Sequence, residues 1–244
     1  MPELELTPVY LLLADISGYT RFVTLHGASV LHAEEIITKL IEAVLDAAAE
    51  PLVLNKLEGD AAFLYALAGD NARAVGEALV RQVLGFFEAF KTQQQALIKA
   101  GEGGCTCDAC CNIGDLKLKA ILHSGPVVMK KVRQLEELAG GDVIVAHRLL
   151  KSSLAAKEYL MVTEKFFEMG GGVPDQKPTP HTDTFEEIGD VKTLVYYPVT
   201  TPLTIPTTPR FTRPSAIAGG LTLFFRPVWR RLTWQRRTFH HLPA

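Results

Sequence analysis

The chain has 244 residues, 48% hydrophobic and 21% charged, enough apolar content to bury a real core in one large domain with an extension. No apolar stretch reaches the roughly 18 residues of a spanning helix, and the acidic opening Met1-Pro2-Glu3-Leu4-Glu5 gives no expectation of a secretory signal. The net charge of −2 hides an asymmetry: seven of the 25 basic residues and none of the 27 acids lie beyond Val199, so an acidic body precedes a basic tail.

In chain order, residues 9–15 read as a buried strand, a continuous apolar run that ends on Asp15 and a Ser-Gly turn. From Arg21 to Ala49 apolar residues fall at helical spacing, with Ile36, Ile37, Leu40, Ile41, Val44, Leu45 and Ala48 on one stripe. Residues 52–57 and 61–67 are strands around Glu58-Gly59-Asp60, a predicted hairpin. Asn71 suits an N-cap, and the helix after it runs to about Lys99 with Val75, Leu79, Val83, Phe86, Phe87 and Phe90 inward.

A Gly- and Cys-rich loop is expected over 101–114. A strand over 116–123, a turn at Ser124-Gly125-Pro126 and a further strand from Val127 follow. Val143–Leu154 reads as a helix, 159–163 as a strand and 164–169 as a short helix. Residues 170–184 read as a loop, and the segment 185–199 as a closing hairpin. This order predicts an α+β sandwich, helices against one mostly antiparallel sheet. The domain boundary falls near Val199, giving a body of residues 1–199 and an extension of residues 200–244.

Two patterns carry chemistry. Asp15 ends an apolar run ahead of a Ser-Gly turn and Asp60 ends a second run beside Gly59, and two carboxylates at neighbouring strand ends suit Mg²⁺ or Mn²⁺ together with substrate phosphates. Cys105, Cys107, Cys110 and Cys111 are the only cysteines, and Cys107-x-x-Cys110 has the spacing of zinc knuckles. Thiolates select soft ions, so Zn²⁺ leads. No second ligand pair follows in the chain. A tight four-cysteine site, a contribution from His181 or a second chain, and a reduced or redox-active loop all stay open. The tail mixes arginine with Phe224, Phe225, Trp229, Trp234 and Phe239, a composition that fits an anionic surface, either membrane interface or nucleic acid, or else a disordered terminus or weakly packed extension.

Three segments together resemble the class III adenylyl/guanylyl cyclase homology domain. They are Leu13-Ala14-Asp15-Ile16-Ser17-Gly18-Tyr19-Thr20, Lys56-Leu57-Glu58-Gly59-Asp60 and Gly140-Gly141-Asp142-Val143-Ile144-Val145-Ala146-His147-Arg148-Leu149. The resemblance covers roughly residues 8–198, looks closest to an uncharacterised bacterial branch, and leaves the Cys loop and the tail outside the shared pattern. It implies the ferredoxin-like cyclase sandwich. It implies metal binding by Asp15 and Asp60 with the Ile16 carbonyl, and a triphosphate approached by the backbone of Ser17, Gly18, Tyr19 and Thr20. It further implies base contact by Lys56, purine selection by Glu137 and transition-state stabilisation by Arg148. The expected substrate is a purine nucleoside triphosphate, ATP before GTP. The expected assembly is a head-to-tail homodimer in the cytoplasm, with the tail as a membrane contact and no sequence-specific nucleic acid as a partner.

Two positions depart from that pattern. Ile144 stands where the family has a ribose-binding asparagine, four residues before the arginine. The last hairpin reads Glu187-Ile188-Gly189-Asp190 where a triphosphate-binding lysine is usual, with Lys192 nearby but offset. The resemblance therefore allows two readings, a nucleotidyl cyclase and a degenerate cyclase fold that binds nucleotide or a partner without turnover.

Overall fold

The apolar run predicted at 9–15 forms the centre of the sheet. It belongs to β1 (Leu6–Ser17), in which Val9 to Leu13 are wholly buried. The computed structural model describes residues 5–24, 30–101 and 107–198. Cys105 and the extension predicted over 200–244 lie outside the described residues.

After β1 the chain gives α1 (Tyr19–Thr24), α2 (Val30–Asp46), β2 (Val53–Glu58), β3 (Ala61–Leu67) and α3 (Ala72–Gly101). It continues through α4 (Asp108–Cys111), a 3-10 turn (Ile113–Asp115), β4 (Lys117–Val132), β5 (Leu135–Ala139) and α5 (Gly141–Leu149). It closes with β6 (Tyr159–Thr163), α6 (Glu164–Gly170), β7 (Thr179–Phe185) and β8 (Gly189–Tyr196). The strand order is β2-β3-β1-β4-β6-β8-β7, and β5 pairs with the last residues of β4. Among the described residues only β4 and β6 run parallel, so the sheet is mostly antiparallel, as the sequence predicts.

Successive β1 side chains face opposite sides of the sheet. Tyr10, Leu12, Ala14 and Ile16 enter the larger core, with the apolar faces of α2 and α3 and with Phe166 of α6. Phe86, Phe87 and Phe90 of α3 are fully buried there, each contributing about 1.5–3 kcal/mol of transfer free energy. The Tyr10 hydroxyl donates to the Ala72 carbonyl at 2.7 Å, so a buried polar tip stays satisfied. Val9, Leu11 and Leu13 face the other way and pack with Ala146 and Leu149 of α5.

Four local expectations change. The predicted helix over 21–49 is α1 and α2, with residues 25–29 outside the described residues. Ser124-Gly125-Pro126 is no turn but the middle of β4. Pro126 sits opposite Pro8 of β1, and the Pro8 carbonyl accepts from the Ala68 N–H at 3.1 Å. The polar edge of Pro8 therefore faces β3, and neither proline removes a bond from the β1–β4 ladder. The Cys-rich segment carries α4 and the 3-10 turn rather than loop alone. The loop predicted to Thr184 contains β7, so the closing hairpin turns at residues 186–188, between Phe185 and Gly189.

Candidate functional site

Asp15 and Asp60 meet at one rim of the sheet. Asp15 pairs in register with Ala61, the residue after Asp60, and the Ile16 N–H donates to the Asp60 carbonyl at 3.2 Å. A strand residue presents its N–H and C=O to the same side, so the Ile16 carbonyl also lies on the Asp60 side of β1. Burial, and then the negative charge of Asp15, push the Asp60 carboxyl up to about 6. Gly59 with φ 66° makes the tight turn that delivers Asp60, and Gly18 with φ 96° bends the chain out of β1 into α1.

One cation already stands at this rim. The Lys119 ammonium lies 2.8 Å from Asp15 Oδ2, with 17% and 14% of the two side chains exposed. It also donates to the Leu150 carbonyl at 2.9 Å. Lys119 is the cross-strand partner of Asp15, a pairing of residues more than a hundred positions apart that the sequence alone did not single out.

The turn Ser17–Thr20 opens on a cavity of about 330 Å³. Gly18, Arg21, Phe22, Asp115, Lys117 and Lys157 are among its lining, so three cations and one carboxylate border the space beside the turn. Burial, and then the charge of Lys91, lower the Lys117 ammonium. Buried Gln94 holds this wall by donating from Nε2 to the Ile113 and Leu116 carbonyls at 2.6 and 2.9 Å. On the other flank the Tyr19 hydroxyl donates to Glu34 of α2 at 3.0 Å, a bond that raises the phenol.

Lys56 of β2 and Glu137 of β5 meet elsewhere, and Arg148 stands on α5. The Lys56 ammonium sits 3.2 Å from Glu137 Oε2 and 3.4 Å from Glu58 Oε1. Burial works against its charge, but the two carboxylates outweigh it and the ammonium is raised. Glu58 reaches His147 Nε2 at 3.0 Å, and that imidazole rests edge-on against Phe63. Arg148 makes a 3.5 Å contact with Glu187 in which both side chains are largely exposed. Ile144 is 54% exposed on the turn before Arg148. Lys192 faces Glu164 at 3.9 Å.

His123, to which the sequence assigns no role, is a buried structural centre. Its Nδ1 lies 2.9 Å from the Thr163 hydroxyl and its Nε2 2.9 Å from Asp142 Oδ1. Burial lowers the imidazole, so a neutral ring accepting from Thr163 and donating to Asp142 satisfies both contacts. The Asp142 carboxyl is pushed up by burial, but hydrogen bonds from Lys165 and His123 outweigh that and leave it lowered.

The Cys segment is brought to a different histidine from the one the sequence suggested. His181 lies among Ser152, Ser153 and Asp183. His32 of α2 is the imidazole beside Cys107 and Cys110, and these three form a group whose ligand atoms lie within 4.8 Å of one another. Cys111 is exposed. No helix among the described residues is long and apolar enough to cross a membrane.

A family model described as "Protein of unknown function (DUF2652)" matches residues 37–159, half of the chain. The chain belongs to this DUF2652 family. A curated relative, "Uncharacterized protein Rv2561/Rv2562" of Mycobacterium tuberculosis, is 34% identical over 157 residues, 64% of this chain and 71% of the relative. Among solved structures, this DUF2652 protein is similar to the guanylyl cyclase Cya2, with a TM-score of 0.60 and 14% identity over 83% of this chain and 98% of that one. The adenylyl cyclase CyaB from P. aeruginosa gives a TM-score of 0.59 and 14% identity over 80% and 96%. A bacterial light-regulated adenylyl cyclase gives 0.57 and 16% over 79% of this chain and 51% of that one. At these identities the likeness is one of fold: the described body of the chain has the architecture of nucleotide cyclase domains.

Proposed function

We propose that this protein is a metal-dependent purine nucleotidyl cyclase, acting on ATP in preference to GTP. The observation that carries the reading is the placement of Asp15 and Asp60 at one sheet rim, where Asp15 pairs in register with Ala61 and the Ile16 N–H donates to the Asp60 carbonyl at 3.2 Å. Two acids that repel each other in a partly desolvated rim favour a cation between them and a phosphate. Their oxygen donors fit Mg²⁺ or Mn²⁺. Such an ion would lower the cost of charge developing on the attacking and leaving oxygens.

The residues around the pair divide the remaining work. The Ser17–Thr20 backbone and the cavity bordered by Arg21, Lys117 and Lys157 suit a polyphosphate. Lys119, freed from Asp15 when a metal binds there, remains at the rim as a further phosphate cation. A second copy of the chain, placed head to tail, supplies Lys56 and Glu137 to the purine and Arg148 to the reacting phosphate. Exposed Leu54, Leu57 and Ile144 give that copy an apolar surface to cover. In the reaction the ribose 3′-oxygen bonds to the α-phosphorus, the bond from that phosphorus to pyrophosphate breaks, and the 3′-hydroxyl proton passes to solvent. The protein chiefly positions and neutralises.

Purified full-length protein incubated with ATP or GTP and Mn²⁺ should release cyclic nucleotide and pyrophosphate, and Asp15→Ala and Asp60→Ala should each reduce this at least a hundredfold, the scale of losing an electrostatic transition-state contact. Nucleotide bound without product would favour the second reading, a cyclase fold that binds without turnover. That reading is supported by Ile144 in place of a ribose-binding amide and by Arg148 engaged with Glu187. The Arg/aromatic tail over 200–244 is assigned to an anionic surface, and co-sedimentation with anionic vesicles tests that assignment.

A further inference from the structure

The group formed by His32, Cys107 and Cys110 has the donors and spacing of a transition-metal site. Cys107 Sγ lies 3.5 Å from His32 Nδ1. A tetrahedral zinc ion with its usual bonds to sulfur and nitrogen holds such a pair about 3.5–3.6 Å apart along the tetrahedron's edge. The third donor, Cys110 Sγ, falls in the same group, all within 4.8 Å.

The local backbone explains the convergence. Cys107 is the N-cap of α4, in extended conformation with φ −70° and ψ 154°, and its carbonyl accepts from the Cys111 N–H at 3.1 Å. Cys110 stands three residues on, so one turn of helix returns its thiol to the side of Cys107. The Asn112 amide donates to the Asp108 carbonyl at 2.7 Å and closes the far end of α4. Buried Ala109 anchors α4 in the larger core, which also holds Ala33 and Ile36 of α2, one and four residues after His32. None of the three donors belongs to the Asp15–Asp60 rim. All three are half-buried, and no disulfide joins Cys107 to Cys110.

We propose that His32, Cys107 and Cys110 bind a zinc ion that clamps α4 onto the start of α2. Two thiolates and one imidazole select a soft or borderline ion over Mg²⁺ or Ca²⁺. The fourth corner takes a water. The clamp fixes the helix that carries Glu34, the acceptor of the Tyr19 hydroxyl beside the Ser17–Thr20 turn. The ion is structural in this assignment, and it stands whether or not the rim turns over nucleotide.

The test uses the full chain purified under reducing conditions without added metal, with zinc measured by elemental mass spectrometry. About one zinc per chain is expected, with a lowered melting temperature after chelation. Exchange for Co²⁺ should give the sulfur-to-cobalt charge-transfer band and strong visible absorption of a tetrahedral thiolate site. His32→Ala, Cys107→Ser and Cys110→Ser should each cut Co²⁺ affinity at least tenfold, with circular dichroism checking the fold, while Cys111→Ser should retain it. Wild-type protein with only trace zinc and no cobalt–thiolate band would overturn the site. Full affinity in His32→Ala would overturn the ligand set. Persistence of a Cys107–Cys110 disulfide under reduction would do the same.

Discussion

Asp60 bears the conflict of the rim most directly. Its carboxyl is raised to about 6 from an ordinary value of 3.8, so the native state holds the proton more tightly than the unfolded chain does. The sign follows: this group favours folding below about pH 4, and the benefit is lost as pH rises through 6. Metal-free Asp60→Asn should therefore be more stable than wild type at pH 7.5, by about 1–2 kcal/mol after allowance for solvent at the rim, and the difference should vanish near pH 4. Denaturant melts at the two pH values check this; equal shifts at both would contradict it. Mn²⁺ should stabilise wild type and leave the variant unchanged. At Ile144, exposed one turn before Arg148, the Ile144→Asn variant restores an amide where the ribose is expected. Cyclase turnover should rise about tenfold, the effect of one added hydrogen bond, in a product assay on folded protein.

The legibility of these residues tracks the distance to their partners. Asp15 and Asp60 announce themselves because each closes an apolar run, Asp15 ahead of a Ser-Gly turn and Asp60 beside Gly59, a local pattern. Lys119 and His32 do not, because what gives each its meaning, Asp15 for one and Cys107 for the other, arrives only through tertiary pairing.

At the scale of elements, the crossing of α3 and α6 rests on two glycines. A Cβ added at Gly76 would run into the Cα of Gly170, backbone that cannot swing aside. Gly76→Ala should cost about 1–3 kcal/mol in chemical denaturation, despite its better helix propensity. A wild-type midpoint would show that the helices separate easily. Elements with a clean period were readable: the stripe of α2 and the inward phenylalanines of α3 are buried where the spacing puts them. The Ser124-Gly125-Pro126 stretch misled because its composition is that of a turn. Only the facing Pro8, with its carbonyl turned to Ala68, shows why a proline is harmless there. Likewise β7 was hidden in a Gly/Pro/Thr-rich segment whose strand character comes from pairing with β8.

For the whole molecule, the decisive prediction concerns two copies. If one protomer gives Asp15 and the other Arg148, Asp15→Ala and Arg148→Ala are each inactive alone. Mixed, they should regain part of the wild-type cyclase activity, because some dimers then carry one intact site. Sedimentation of wild type should show a dimer whose population falls in Leu57→Lys. Failure to complement, with both variants folded and dimeric, would place both residues in one protomer's site. The cyclase-like architecture is foreseeable because its three segments are short, ordered and widely spaced, whereas a second copy would have to be read from no more than exposed apolar side chains such as Leu54 and Leu57.

The ladder between β1 and β4 joins Leu6–Ser17 to Lys117–Val128, the two ends of a long stretch of chain. During vectorial synthesis β1 leaves the ribosome with one long edge unsatisfied and waits for about a hundred further residues before its neighbour emerges. Until then Tyr10-Leu11-Leu12-Leu13 is an adhesive ribbon able to recruit any extended chain nearby. A nascent chain stalled after α3 is therefore the species most in need of a chaperone, and truncation there should give inclusion bodies rather than a folded half.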